Sequence, residues 1–185
     1  MLSPRIVWSG STKPWHARTN VRPNDTSLNQ TIAGGRAKIS TTIIVAALAD
    51  TNLLVYAWDP RDPAKQQRAR RLLHDGFNSN SIRIAHQAVI EFVSVITRPL
   101  PSGKPILTRR EARQETEEIL AHVSVLYPNV DVLRAALRGH VEYQLSWYDA
   151  HMLAYAEVFG LTELLSEDFQ HGRVYGNVRV VNPFL

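Results

Sequence analysis

Two periods of apolar and polar residues run along this chain, and where each holds marks out its elements. Residues 43–49 (IIVAALA) are an unbroken apolar run with β-branched content, the pattern of a strand buried on both faces. The run stops abruptly on Asp50. Asp62-Pro63 then offers an N-cap with proline at the first helical position, predicting a helix through Lys65 to His74 that closes at Gly76. Residues 81–85 (SIRIA) alternate as a short strand, and the largely apolar helix HQAVIEFVSVIT follows until Arg98-Pro99 stops it. Thr108 and Glu111 form a capping box for a helix to about His122, VSVLY is a strand, and Asn129 caps a helix through Arg138. Ser146 starts a helix ending at Gly160, LTELLS is the next strand, and VRVVNPF closes the chain as another. Short apolar strands alternating with helices predict an α/β fold with a mostly parallel sheet and helices on both faces. The crevice of such a fold lies at the carboxyl ends of the strands, where strand order reverses.

Residues 1–42 show neither period and are rich in Ser, Thr, Asn, Pro, Gly and Arg, which predicts a disordered basic extension or a start-site artefact ahead of a domain over residues 43–185. This placement changes the meaning of the charge. The formal net charge is +4, but positions 1–49 hold six basic residues against Asp25 alone. The other 15 basic and 16 acidic residues leave the folded part nearly neutral, so overall basicity does not identify its partner. There is no cysteine, which excludes disulfides, thiolate metal sites and cysteine nucleophiles. No apolar run is long enough to span a bilayer, and the expectation is a soluble, cytoplasmic protein.

If Asp50 is functional, other acids should share its rim. Asp168 follows the strand LTELLS and so occupies the same kind of position. Glu91 lies in an otherwise apolar helix, on a polar stripe with Gln87, Ser94 and Arg98 that otherwise reads as a narrow solvent-facing edge. Asp149 heads an apolar face continued by Met152, Leu153 and Ala156, where a bare carboxylate would be costly. Its competing role is local, as the acid of the Ser146-x-x-Asp149 capping box. Four converging carboxylates repel one another, and a hard divalent cation would neutralise them. Oxygen-only ligation selects Mg²⁺ or Mn²⁺ over zinc. Held with positions open to water and phosphate, such an ion suits phosphodiester hydrolysis.

At these residues the chain resembles PIN-domain nucleases, and among them the VapC-type toxins of toxin–antitoxin pairs. The likeness runs from Leu48 to Phe184 through four blocks in order: ADTNLLVYAWDPRDP, HQAVIEFVSVITRP, LSWYDAHMLAYAEVFG and LLSEDFQHGRVYGNVRVVNPF. It implies a three-layer α/β/α sandwich and a Mg²⁺/Mn²⁺ site of Asp50, Glu91, Asp149 and Asp168. It also implies that Asn52 caps the next short helix while orienting Asp50, and that Ser166 is the small hydroxyl residue before the last acid. Glu167 adjoins Asp168 and competes with it for the fourth position. The implied activity is metal-dependent cleavage of RNA, with tRNA among the possible substrates, by a homodimer restrained by an antitoxin.

Arg98 and His171 are weak candidates for contacting substrate phosphate. Trp147 and Tyr148 could stack on an unpaired base, although aromatics opening a helix usually serve the core or a dimer contact. Two other readings stay open: a catalytically silent PIN-like binding module, and a phosphatase or phosphoacceptor using Asp50 as nucleophile. The second lacks the other aspartate of a DxD pair.

Overall fold

The structure is a computed structural model and describes residues 46–185. The extension expected over residues 1–42 and the first residues of the strand expected at 43–49 lie outside the described residues. Twelve elements follow in order: β1 (Ala47–Ala49), α1 (Thr51–Trp58), α2 (Pro63–Asn78), β2 (Ile82–Ala85), α3 (His86–Ile96), α4 (Arg109–His122), β3 (Val125–Leu126), α5 (Val130–Glu142), α6 (Trp147–Val158), β4 (Glu163–Leu165), β5 (Val174–Tyr175) and β6 (Val178–Val181). The six strands form one sheet in the order β3-β2-β1-β4-β6-β5. All pairings are parallel except β5 with β6. Helix α6 lies against β1, β4 and β6 with α5 packed on it, while α1 packs on α2 and α3, which rest on β2. The result is the expected three-layer α/β/α sandwich. No helix among the described residues is long and apolar enough to cross a membrane.

Local chemistry explains most boundaries. Asp62 accepts from the Lys65 amide and Pro63 opens α2; Thr108 and Glu111 form both halves of a capping box; Asn129 accepts from the amides of Asp131 and Val132. Three details depart from the sequence expectation. Helix α5 runs to Glu142, past Arg138. A short antiparallel strand, β5, pairs with β6 through a two-residue turn with φ 56° at Gly176, a conformation that favours glycine.

The third detail is Gly76, which does not close α2, because the helix continues to Asn78. Its glycine serves packing instead: a Cβ there would lie 2.3 Å from Ile82 Cδ1 and 2.9 Å from Ile82 Cβ. The second atom is anchored to β2 and cannot swing away. We therefore expect Gly76→Ala to destabilise the fold by about 2–3 kcal/mol through overpacking, read as a lowered denaturation midpoint. In an Ile82→Ala background, itself destabilised by the lost core side chain, the same glycine change should cost less; a midpoint unchanged in Gly76→Ala would show that helix and strand separate freely.

Candidate active site at the carboxyl ends of β1 and β4

Strand order reverses at β1, which has β2 on one side and β4 on the other. Register pairs Ala49 with Leu165, so the next residues, Asp50 and Ser166, emerge side by side at the carboxyl edge. The Asp50 amide donates to the Leu165 carbonyl at 3.1 Å, carrying the pairing one residue past the strand. Asp50 is then the N-cap of α1, its Oδ1 accepting from the Thr51 amide at 2.6 Å. Its Oδ2 accepts from Ser166 Oγ at 2.5 Å. Ser166 is fully buried and accepts in turn from the Asp168 amide at 3.1 Å, so one hydroxyl ties the two strand-end acids together.

Asp50 is only 8% exposed. Burial pushes its carboxyl up to about 6, with the charges of Asp168 and Glu91 adding to the rise and the bonds from Ser166 and Thr51 opposing it. Both neighbours are close enough to be felt. Glu91 is half-buried and held from two sides, with Oε2 accepting from Thr51 Oγ1 at 2.7 Å and Oε1 from Gln87 Nε2 at 2.9 Å. Asp168 is exposed, and its Oδ2 accepts from Asn52 Nδ2 at 3.2 Å.

Asn52 therefore does not cap α1; Asp50 does, and Asn52 sits inside the first turn pointing at Asp168. The other end of its amide, Oδ1, is buried without a hydrogen-bond partner among the described residues. Asp149 joins this group only indirectly. Gln87 Nε2 also reaches the Tyr148 carbonyl at 3.3 Å, and Gln87 Oε1 accepts from His151 Nδ1 at 2.6 Å, so Gln87 links Glu91 to the start of α6. Burial lowers His151, with the Glu91 charge opposing that shift. Ser146 Oγ accepts from the Asp149 amide at 3.2 Å, the helix-capping half of the expected box.

Glu167 is drawn elsewhere. It accepts from Tyr56 Oη and pairs with Lys65 Nζ at 2.6 Å, while Lys65 also lies over the Tyr56 ring. Arg98 is exposed just past the far end of α3, seven residues or about 10 Å along the axis from Glu91. His171 is exposed, its Nδ1 accepting from the Asn182 amide at 3.0 Å.

The site thus groups Asp50, Glu91 and Asp168 through Thr51, Asn52 and Ser166. Among the described residues, no three Asp, Glu, His or Cys side chains converge tightly enough, as placed, to hold one ion. The donor chemistry nevertheless fits a hard divalent cation. The acids offer oxygen alone, Asp50 is raised by burial that no positive charge among the described residues offsets, and Asn52 Oδ1 is a buried acceptor with no donor among them. Thr51, Gln87, Tyr56 and Lys65 were not singled out by the sequence as site residues. Only Gln87 left a trace there, at four residues before Glu91 on its stripe.

Solved structures with this fold include a toxin–antitoxin complex from Klebsiella pneumoniae, with TM-score 0.53 and 22% identity over 75% of this chain and 98% of that one. The FitAB complex bound to an IR36 DNA fragment gives TM-score 0.56 and 16% identity over 75% and 96%. The sarcin–ricin loop cleaving toxin VapC20 of Mycobacterium tuberculosis gives 0.50 and 17% over 64% and 87%. No curated protein matches the sequence. The PIN domain family matches residues 47–177, which take in both strand-end acids and every side chain that holds them, and the chain belongs to that family.

Proposed function

We propose that this protein is a metal-dependent endoribonuclease, the toxin of a toxin–antitoxin pair, cleaving RNA phosphodiester bonds with Asp50, Glu91, Asp149 and Asp168. The observation that carries this reading is Asp50 itself. A PIN-family chain places a buried carboxyl at the switch point of its sheet, raised to about 6 with two further acids in electrostatic reach. The nuclease domain would be residues 43–185 and its location the cytoplasm.

The four acids would hold Mg²⁺ or Mn²⁺. Bound there, the ion supplies Lewis-acid activation of water and neutralisation of charge on the scissile phosphate. The protein's own groups prepare the acids. Ser166 donates to Asp50 and favours its ionised form, so that at neutral pH the carboxylate is available despite its burial. Thr51 and Gln87 grip separate oxygens of Glu91 and fix its orientation, and Asn52 does the same for Asp168.

An antitoxin and a second copy of the chain are the proposed protein partners. Three of the similar structures are toxin–antitoxin or VapBC complexes. On this chain α5 turns Val130, Leu133, Leu137 and Val141 outward in a helical stripe opposite the Val132, Ala135, Ala136 and Gly139 face it buries, an aliphatic surface suited to protein contact. RNA, with tRNA first to be tried, is the proposed substrate.

The competing reading, a silent PIN-like module, draws on the side chains' failure to converge on one ion as placed. Incubating antitoxin-free protein with total RNA and with tRNA in Mg²⁺, Mn²⁺ or EDTA separates the two. The nuclease is expected to give discrete fragments with either metal and none in EDTA. Intact RNA together with no measurable Mn²⁺ binding would establish the silent module.

A further inference from the structure

Beyond the acids, the same carboxyl edge continues toward β3 and changes character. Parallel register pairs Ala85 with Leu126 at the ends of β2 and β3, so the next residues, His86 and Tyr127, emerge as neighbours. Their ring centroids lie 5.1 Å apart. Gln87, adjacent to His86, bonds both Glu91 and the Tyr148 carbonyl, which brings the backbone of Tyr148 to the same edge. Tyr127 and Tyr148 are 57% and 67% exposed, well beyond what core aromatics show. From β4 through β1 to β3 the edge therefore reads Asp168, Asp50, Glu91, then an aromatic ledge. With strands about 4.8 Å apart, the ledge stands on the order of 10 Å from Asp50.

We infer that Tyr127 and Tyr148, with His86 between acids and ledge, form a stacking subsite for an unpaired nucleobase flanking the cleaved bond. The inference rests on the nuclease reading and adds to it the residues that would hold an unpaired base beside the acids. Three features favour a base over a protein partner. The exposed groups are flat aromatic rings, each with a π-face that any base can meet. Polar groups stand beside them, His86 against the Tyr127 ring, Gln87 on the Tyr148 carbonyl and Asp149 next in the chain, unlike the aliphatic stripe on α5. And the elements that carry them flank the acids: Tyr127 follows β3, two strands from β1, and Tyr148 opens α6, which lies against β1 and β4. A duplex keeps its bases stacked inside and offers no free face to the ledge.

The test is anisotropy of a labelled single-stranded oligoribonucleotide with full-length protein in EDTA, so that nothing is cut, beside the same strand annealed to its complement. Tyr127→Ala and Tyr148→Ala should each weaken single-strand binding about tenfold, with the salt slope and duplex binding unchanged, since stacking releases no counterions. Tyr127→Phe and Tyr148→Phe should bind as wild type. Both alanine variants should melt as wild type, because exposed substitutions of this kind seldom shift stability by more than about 0.5 kcal/mol. Alanine variants that keep full affinity, or phenylalanine variants that lose as much as alanine, overturn the ledge. So does a wild type that binds no single strand, or alanine variants whose only defect is a lost dimer or lost antitoxin. Metal-dependent cleavage by the wild type distinguishes the two levels: if it persists while the ledge fails, the nuclease reading stands alone, and if it is absent both fall.

Discussion

Asp50→Asn is expected to remove RNA cleavage, by on the order of a thousandfold, and at the same time to raise the melting temperature of the metal-free protein. The two effects share a cause. Asp50's carboxyl is pushed from its ordinary 3.8 to about 6, chiefly by burial, so its charged form is disfavoured in the fold. Between about pH 4 and pH 6 the folded state holds a proton that the unfolded chain has released, and stability falls as pH rises through that window. Above it the full cost, about 3 kcal/mol at 1.36 kcal/mol per unit, is present. Asparagine carries no such charge and can still accept from the Thr51 amide, while the altered bond to Ser166 offsets about 1 kcal/mol of the gain. A net gain of about 2 kcal/mol corresponds to about 4–8 °C for a domain of this size. The difference should be present at pH 7.5 and vanish near pH 4. Added Mg²⁺ should raise the wild-type midpoint and leave the variant unmoved, because only the wild type binds it in the folded state. A variant less stable than wild type at pH 7.5 would mean that Asp50 is a well-satisfied helix cap and not a charge awaiting a counterion.

A conflict of this kind between folding and chemistry explains why so much of the candidate site could be read from sequence. A buried strand that ends on an acid gives it a helix to cap, a site to serve or both, and a parallel sheet gives every such acid the same rim. Asp50 and Asp168 were legible for that reason, and Ser166 by likeness to the family. The caps were legible too, since Asp62 with Pro63, Thr108 with Glu111, Asn129 and Ser146 each act within a few residues of their own position. What stayed hidden depends on contacts between distant segments. Gly76 looked like a helix stop because glycine often is one, and only the approach of Ile82 shows its use. Asn52 was expected to cap by likeness to the family, but the cap position falls two residues earlier. Strand β5 is two residues long and exists by pairing with β6, so no period within it could announce it. Thr51 and Gln87 are ordinary residues in sequence; their meaning comes from Glu91, 40 positions from Thr51.

The choice between Glu167 and Asp168 could not be made from adjacent letters, and side-chain packing gives it an expected answer. Lys65 and Tyr56 lie 102 and 111 positions from Glu167, and both engage it. Lys65 is further held over the rings of Tyr56 and Phe184, so the cluster pins the loop after β4 to α1, α2 and the end of the chain. A carboxylate satisfied by an ammonium and a phenol has little left to offer a cation, whereas Asp168 is exposed and, among the described residues, its carboxylate is held by the Asn52 amide alone. Glu167→Gln should thus keep cleavage within about threefold and cost about 1 kcal/mol of stability, the modest worth of a partly exposed ion pair. Asp168→Asn should do the reverse, preserving the bond from Asn52 and the melting temperature while lowering kcat by about a hundredfold and weakening Mn²⁺ binding about tenfold. Lys65→Met separates position from charge: it leaves both acids in place, and it should reproduce the stability loss of Glu167→Gln with the same small effect on kcat. If instead Glu167→Gln abolishes cleavage and Asp168→Asn spares it, the fourth acid is Glu167, and the contacts with Lys65 and Tyr56 must open when the ion binds.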